Sequence, residues 1–111
     1  MSREKITVKE LREHTEKVTQ ILVDKYNVDV SDSSTKYIQL AKIQEELGEL
    51  ADAVLSMDNN QRTSKGQKNI EDVSKEIFDV LLATTIMANL LRIDIEKLII
   101  VGILEYDEER D

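Results

Sequence analysis

The chain has 111 residues, 23 acidic and 15 basic side chains, a formal net charge of −8, and neither proline nor cysteine. That length predicts one domain spanning residues 1–111. The missing cysteines exclude a disulfide framework and a thiolate metal site, and the acidity argues against a nucleic-acid partner, whose phosphates need a basic face. Neither the amino terminus, MSREKITVKE, nor the Val80–Leu91 stretch carries the apolar run of a secretory signal or a membrane span, so a soluble cytoplasmic protein with no membrane partner is expected.

With no proline and three glycines, long helices meet few breakers. The first helix is announced by the capping box Thr7-x-x-Glu10, with Ile6 and Leu11 in the staple positions, and continues through Val18, Ile21 and Leu22 to about Tyr26. Val28–Ser34 is a break rich in Asp and Ser, where Ser33 or Ser34 can cap the next helix. That second helix is predicted over Thr35–Met57, with Leu40, Ile43, Leu47, Leu50, Ala51 and Val54 as its core stripe. Asp58–Lys68 contains nothing apolar and reads as the main exposed loop. Asn69 is placed to cap a third helix running from Ile70 to about Leu91, with Glu71 and Asp72 at its positive end. The last segment, Asp94 to about Glu108, contains the β-branched run Ile99–Leu104, which reads equally as a strand. Asp94 as a cap and the lack of a partner strand favour a helix. The prediction is an all-α, four-helix bundle-like fold.

Two acidic clusters stand out, Glu45-Glu46-Leu47-Gly48-Glu49 and Glu76-Ile77-Phe78-Asp79. Each holds an i, i+3 carboxylate pair, Glu46/Glu49 and Glu76/Asp79, and residues three apart on a helix share a face at roughly 5–6 Å between Cβ atoms. Counting outward from a turn near Thr63, Glu49 falls level with Glu76 and Glu46 level with Asp79, so an antiparallel hairpin would bring four carboxylates to one height. Taken alone, Glu46 and Glu49 also fit an ordinary solvated edge with a Lys42–Glu46 i, i+4 pair. Asp79 is harder to explain that way. It shares a row with Ala83, Ile86 and Leu90, and an ionised carboxylate among apolar neighbours costs several kcal/mol unless a charge compensates it. A divalent cation would do so. Oxygen ligands favour Mg²⁺, with Mn²⁺ as the alternative, because such sites use substrate phosphates as remaining ligands. His14 lies in another helix and reads as a surface residue rather than a ligand.

The motifs EELGE and EIFD, on adjacent helices of an all-α chain, resemble those of the MazG-like nucleoside triphosphate pyrophosphohydrolases. The similarity runs from about Tyr37 to Lys97 through LAKIQEELGELADAV, EIFDVLL and LRIDIEKL. It implies that Glu46, Glu49, Glu76 and Asp79 ligate Mg²⁺, and that a (deoxy)nucleoside triphosphate is cleaved between its α- and β-phosphates into monophosphate and pyrophosphate. Glu46 and its neighbour Glu45 are the catalytic candidates, Glu45 as a base or as a residue supporting the ligands from behind. Gln39, Lys42, Lys65 and Lys68 are the candidate substrate contacts, and Tyr37 or Phe78 could stack a base or simply pack. The carboxyl-terminal VGILEYDEERD departs from the basic, Asn-containing stretch that family members often carry there, which leaves the nucleotide open. A phosphoribosyl-ATP pyrophosphatase is the alternative within the superfamily, although no histidine follows EIFDVLL. A non-catalytic acidic helical interaction protein is the alternative outside it. Surplus apolar surface on the third and fourth helices predicts a homodimer or homotetramer.

Overall fold

In a computed structural model, residues 4–58 and 68–110 are described, and they form four α-helices with no strand among them: α1 (Val8–Lys25), α2 (Ser34–Met57), α3 (Ile70–Leu90) and α4 (Ile95–Arg110). The all-α expectation holds, and the β-branched run Ile99–Leu104 is helical. Among the described residues no helix is long and apolar enough to cross a membrane.

Local chemistry sets most helix ends. The Thr7–Glu10 capping box forms as expected: Glu10 N–H donates to Thr7 Oγ1 at 3.1 Å and Thr7 N–H to Glu10 Oε1 at 3.2 Å. The same reciprocal arrangement opens α3, where Asp72 N–H donates to Asn69 Oδ1 at 2.9 Å and Asn69 N–H to Asp72 Oδ2 at 3.0 Å. Asp94 caps α4 through the N–H groups of Glu96 and Lys97. Ser33 differs from expectation. It occupies the N-cap position of α2 but makes no side-chain cap bond, because its backbone is already helical (φ −62°, ψ −23°) rather than extended.

Two helices end in the same six-residue device. Val28 N–H bonds Val23 C=O and Asn27 N–H bonds Asp24 C=O, with Asn27 at φ 49°. After α3, Ile93 N–H bonds Ala88 C=O and Arg92 N–H bonds Asn89 C=O, with Arg92 at φ 60°. These are Schellman ends, in which one left-handed residue lets two later N–H groups return to orphan carbonyls. Asparagine accepts that conformation readily, whereas an arginine Cβ does not.

The chain divides into two units, residues 1–32 with 85–111, and residues 33–84. In the first, α1 packs on α4, the partly buried Arg12 Nη1 meets Glu96 Oε1 at 2.6 Å, and Ile95 is almost fully buried. Thr15 and Thr19 are buried on α1 and return their hydroxyls to the carbonyls of Arg12 and Thr15. The Asn89 amide then donates to Thr19 Oγ1 at 3.0 Å.

The second unit is the antiparallel hairpin of α2 with α3 as far as Thr84. Gln39 Nε2 donates to the Ala83 carbonyl at 2.9 Å at one end, and Lys68 N–H to Ser56 Oγ at 3.2 Å at the other, which fixes the direction of the two helices. The buried side of α2 departs from its apolar stripe. Glu46, Ala53 and Ser56 are buried, Ile43 and Leu50 are half-buried, and Leu40, Leu47, Ala51 and Val54 are exposed. At 100° per residue the inward face lies roughly 90° round the helix from the centre of the predicted core stripe. The small residues Ala53, Ser56 and Ala83 are among those buried in this unit.

Candidate metal centre

Glu46 and Glu49 sit one turn apart on α2, and Glu76 faces them from α3. Each offers a carboxylate oxygen, and the three oxygens lie within 4.8 Å of one another. Oxygens bound to one Mg²⁺, Mn²⁺ or Ca²⁺ ion at 2.0–2.6 Å can be no more than roughly 4–5 Å apart, so this spacing is that of a single coordination shell. Burial is graded across the group: Glu46 is buried at 8% exposure, Glu76 is half-buried and Glu49 is exposed. An all-carboxylate set with one solvent-facing member suits a hard cation that keeps water and accepts further oxygen ligands. The residues therefore fit a divalent metal.

Glu46 takes its position from the rotation of α2, which turns it inward and the leucines outward. Lys42, one turn earlier, follows it. Its Nζ lies 3.1 Å from Glu46 Oε1 and 3.5 Å from Glu45 Oε1. The hydrogen bond to Glu46 raises the ammonium above its ordinary value of 10.5, with smaller help from the charges of Glu45 and Glu46.

The other sequence candidates are placed as follows. Asp79 is half-buried on α3 and is not a member of the three-carboxylate group; its side chain is one methylene shorter than that of a glutamate. Glu45 is exposed and its carboxylate is turned to Lys42. Gln39 is half-buried, with its amide tied to Ala83. Lys68 is half-buried and contributes its backbone N–H to Ser56. Lys65 lies outside the described residues. Tyr37 and Phe78 are both exposed, as is His14.

A family model for the MazG nucleotide pyrophosphohydrolase domain matches residues 34–105. The chain belongs to that family. The match begins at the first residue of α2, covers the whole acidic hairpin and ends inside α4, leaving α1 outside it. No individual curated protein and no solved structure matches the chain. Membership carries the general activity, hydrolysis of a nucleotide's pyrophosphate linkage, and hence a nucleotide as substrate.

A cavity of about 400 Å³ in the first unit is lined by Arg12, Thr19, Asn89 and Arg92 among others, and none of its lining residues belongs to the acidic group. Those residues come from α1, the end of α3 and the turn after it, with no shared spacing that a sequence pattern could reveal.

Proposed function

We propose that this protein is a Mg²⁺-dependent nucleoside triphosphate pyrophosphohydrolase, with Mn²⁺ able to replace Mg²⁺, that cleaves the bond between the α- and β-phosphates. The observation that carries the reading is the convergence of Glu46, Glu49 and Glu76 oxygens within 4.8 Å on two antiparallel helices of a MazG domain. Three carboxylates this close repel one another by roughly 1–4 kcal/mol per pair, a cost that a doubly charged cation turns into attraction.

Glu46, Glu49 and Glu76 would hold the ion, with Asp79 one turn further along α3 as the fourth ligand expected from its spacing. When bound, the ion would offset charge on the phosphate oxygens and lower the pKa of a water. The remaining work falls to the chain. Glu45, exposed beside the ligands, accepts a proton from the attacking water as its oxygen bonds to the α-phosphorus. The bond from that phosphorus to the bridging oxygen breaks, and pyrophosphate leaves from the nucleoside monophosphate. Lys42, Lys65 and Lys68 act as point charges for the leaving phosphates, and Gln39 borders the same face.

Exposed apolar side chains on α2 (Leu40, Leu47) and α4 (Ile100, Ile103, Leu104) support a homodimer or homotetramer. Ten successive residues of α4, Ile100 to Glu109, are exposed, so that helix hides little of its apolar surface within the protomer.

The test is pyrophosphate release from a panel of nucleoside triphosphates with Mg²⁺, for the wild type, Glu49→Gln and Asp79→Asn. Turnover in the wild type with loss in the variants is expected. An inactive wild type, or full turnover in both variants, overturns the reading.

A further inference from the structure

Lys42 stands against the most buried of the three carboxylates, and the two side chains differ sharply in exposure. The Glu46 side chain is 11% exposed and the Lys42 side chain 51%. A carboxylate so withdrawn from water is costly to leave without a compensating partner, whereas a half-exposed ammonium on a flexible four-carbon stem can return to solvent at little cost. The i, i+4 spacing puts the two together on α2 alone, with Nζ 3.1 Å from Glu46 Oε1, and Glu45 Oε1 at 3.5 Å offers the ammonium a second, outward-facing anion. The oxygens of Glu49 and Glu76, within 4.8 Å of that of Glu46, add to the demand for positive charge at the same place.

We propose that Lys42 is a built-in counter-ion of the metal site: it holds Glu46 while no metal is bound, and it gives up that carboxylate when a divalent cation enters, becoming free for the substrate's phosphates. This rests on the metal-site reading above. Metal entry is then an exchange of cations at Glu46. The lysine lowers affinity for the bare metal ion and raises affinity for the nucleotide that follows, so its removal moves the two affinities in opposite directions. A lysine that only touched phosphate would leave metal affinity unchanged without nucleotide. One that only braced the helix would weaken both.

The experiment is calorimetric titration of Mn²⁺ into the metal-free full chain without nucleotide, for the wild type, Lys42→Met, Lys42→Gln and Glu49→Gln. A methylene-bridged nucleoside triphosphate analogue is then titrated at saturating Mn²⁺. Both Lys42 variants are expected to bind Mn²⁺ about three- to tenfold more tightly than the wild type, the range of a partly exposed, charge-assisted pair. They should bind the analogue more weakly, while Glu49→Gln loses Mn²⁺. Lys42→Gln keeps a hydrogen-bonding head without charge, so agreement between the two variants rules out a packing effect. Unchanged or weaker Mn²⁺ binding in both Lys42 variants, with binding lost in Glu49→Gln, overturns the counter-ion role and leaves the metal site standing. Absence of Mn²⁺ binding in the wild type and in both Lys42 variants overturns the metal site itself.

Discussion

The two units differ in the kind of polarity they bury. In the α1–α4 unit polar groups pair with one another: Thr15 and Thr19 bond carbonyls of their own helix, Asn89 bonds Thr19, and the Arg12 guanidinium reaches Glu96 at 2.6 Å, although its buried Nε, 3.5 Å from Glu16, makes no hydrogen bond. In the α2–α3 hairpin three carboxylates share one small volume, and the lysine that reaches them touches Glu46 from a half-exposed position. Paired groups of the first kind specify packing, whereas carboxylates gathered in one small volume repel one another and favour a bound cation.

The largest effect expected from breaking that contrast is on the hairpin. Glu49→Gln removes a solvent-facing member of the acidic group, so the fold should persist while pyrophosphate release falls by at least about 100-fold, since outer-shell partners of a metal alone cost 10–100-fold. Mg²⁺ at about 100 times its dissociation constant should stabilise the wild type by about 2.7 kcal/mol, visible as a raised melting midpoint that EDTA removes and Glu49→Gln lacks. A variant that still melts higher with Mg²⁺ would move Glu49 out of the ligand set.

In the other unit the order reverses, with stability affected and metal response spared. Arg12→Met removes a partly buried cation and leaves Glu96 without its 2.6 Å partner, and urea denaturation should show a loss of about 1–3 kcal/mol. Its Mg²⁺-induced melting shift should match that of the wild type. A smaller change of opposite sign is expected at Arg92, whose φ of 60° glycine adopts without strain. Arg92→Gly should gain roughly 0.5–1 kcal/mol in the same assay; a loss would mean that the side chain contributes more to the cavity wall than its backbone costs.

The smallest effect concerns Asp29, in the turn after α1. Its carboxylate accepts the Ser31 hydroxyl at 2.6 Å and the Ser31 N–H at 2.9 Å, which lowers its pKa below the ordinary 3.8. A group whose folded pKa is depressed contributes stability above its unfolded value and loses it as pH falls through the folded one. The turn should therefore loosen only below pH 3.8. Carboxyl NMR titration should find Asp29 below that value in the wild type and closer to it in Ser31→Ala.

Helix ends and family were legible because their causes lie a few residues apart. The Thr7–Glu10 box, the Asn69 and Asp94 caps and the EELGE and EIFD motifs each act over three or four positions, and the structure and the family match agree with them. The core of α2 was not legible. Leu40, Leu47 and Val54 form the obvious apolar stripe and are exposed, whereas Glu46 is buried. A helical projection tells which residues share a face, but which face is covered depends on the neighbouring helix. The same dependence separates Glu76, whose oxygen joins those of Glu46 and Glu49, from Asp79, equally well spaced in sequence yet outside that group.

The sequence by itself thus determined an all-α chain of the MazG family, its capped helices and the carboxylate pairs from which the proposed metal site is drawn, since all of these follow from short-range spacing. Only the tertiary structure decided which carboxylates meet and that Glu46 is the one withdrawn from water, whereas the Lys42–Glu46 pair already follows from i, i+4 spacing on α2. Burial and the meeting of carboxylates from two helices are set by what lies across the hairpin, and no single helix carries that information.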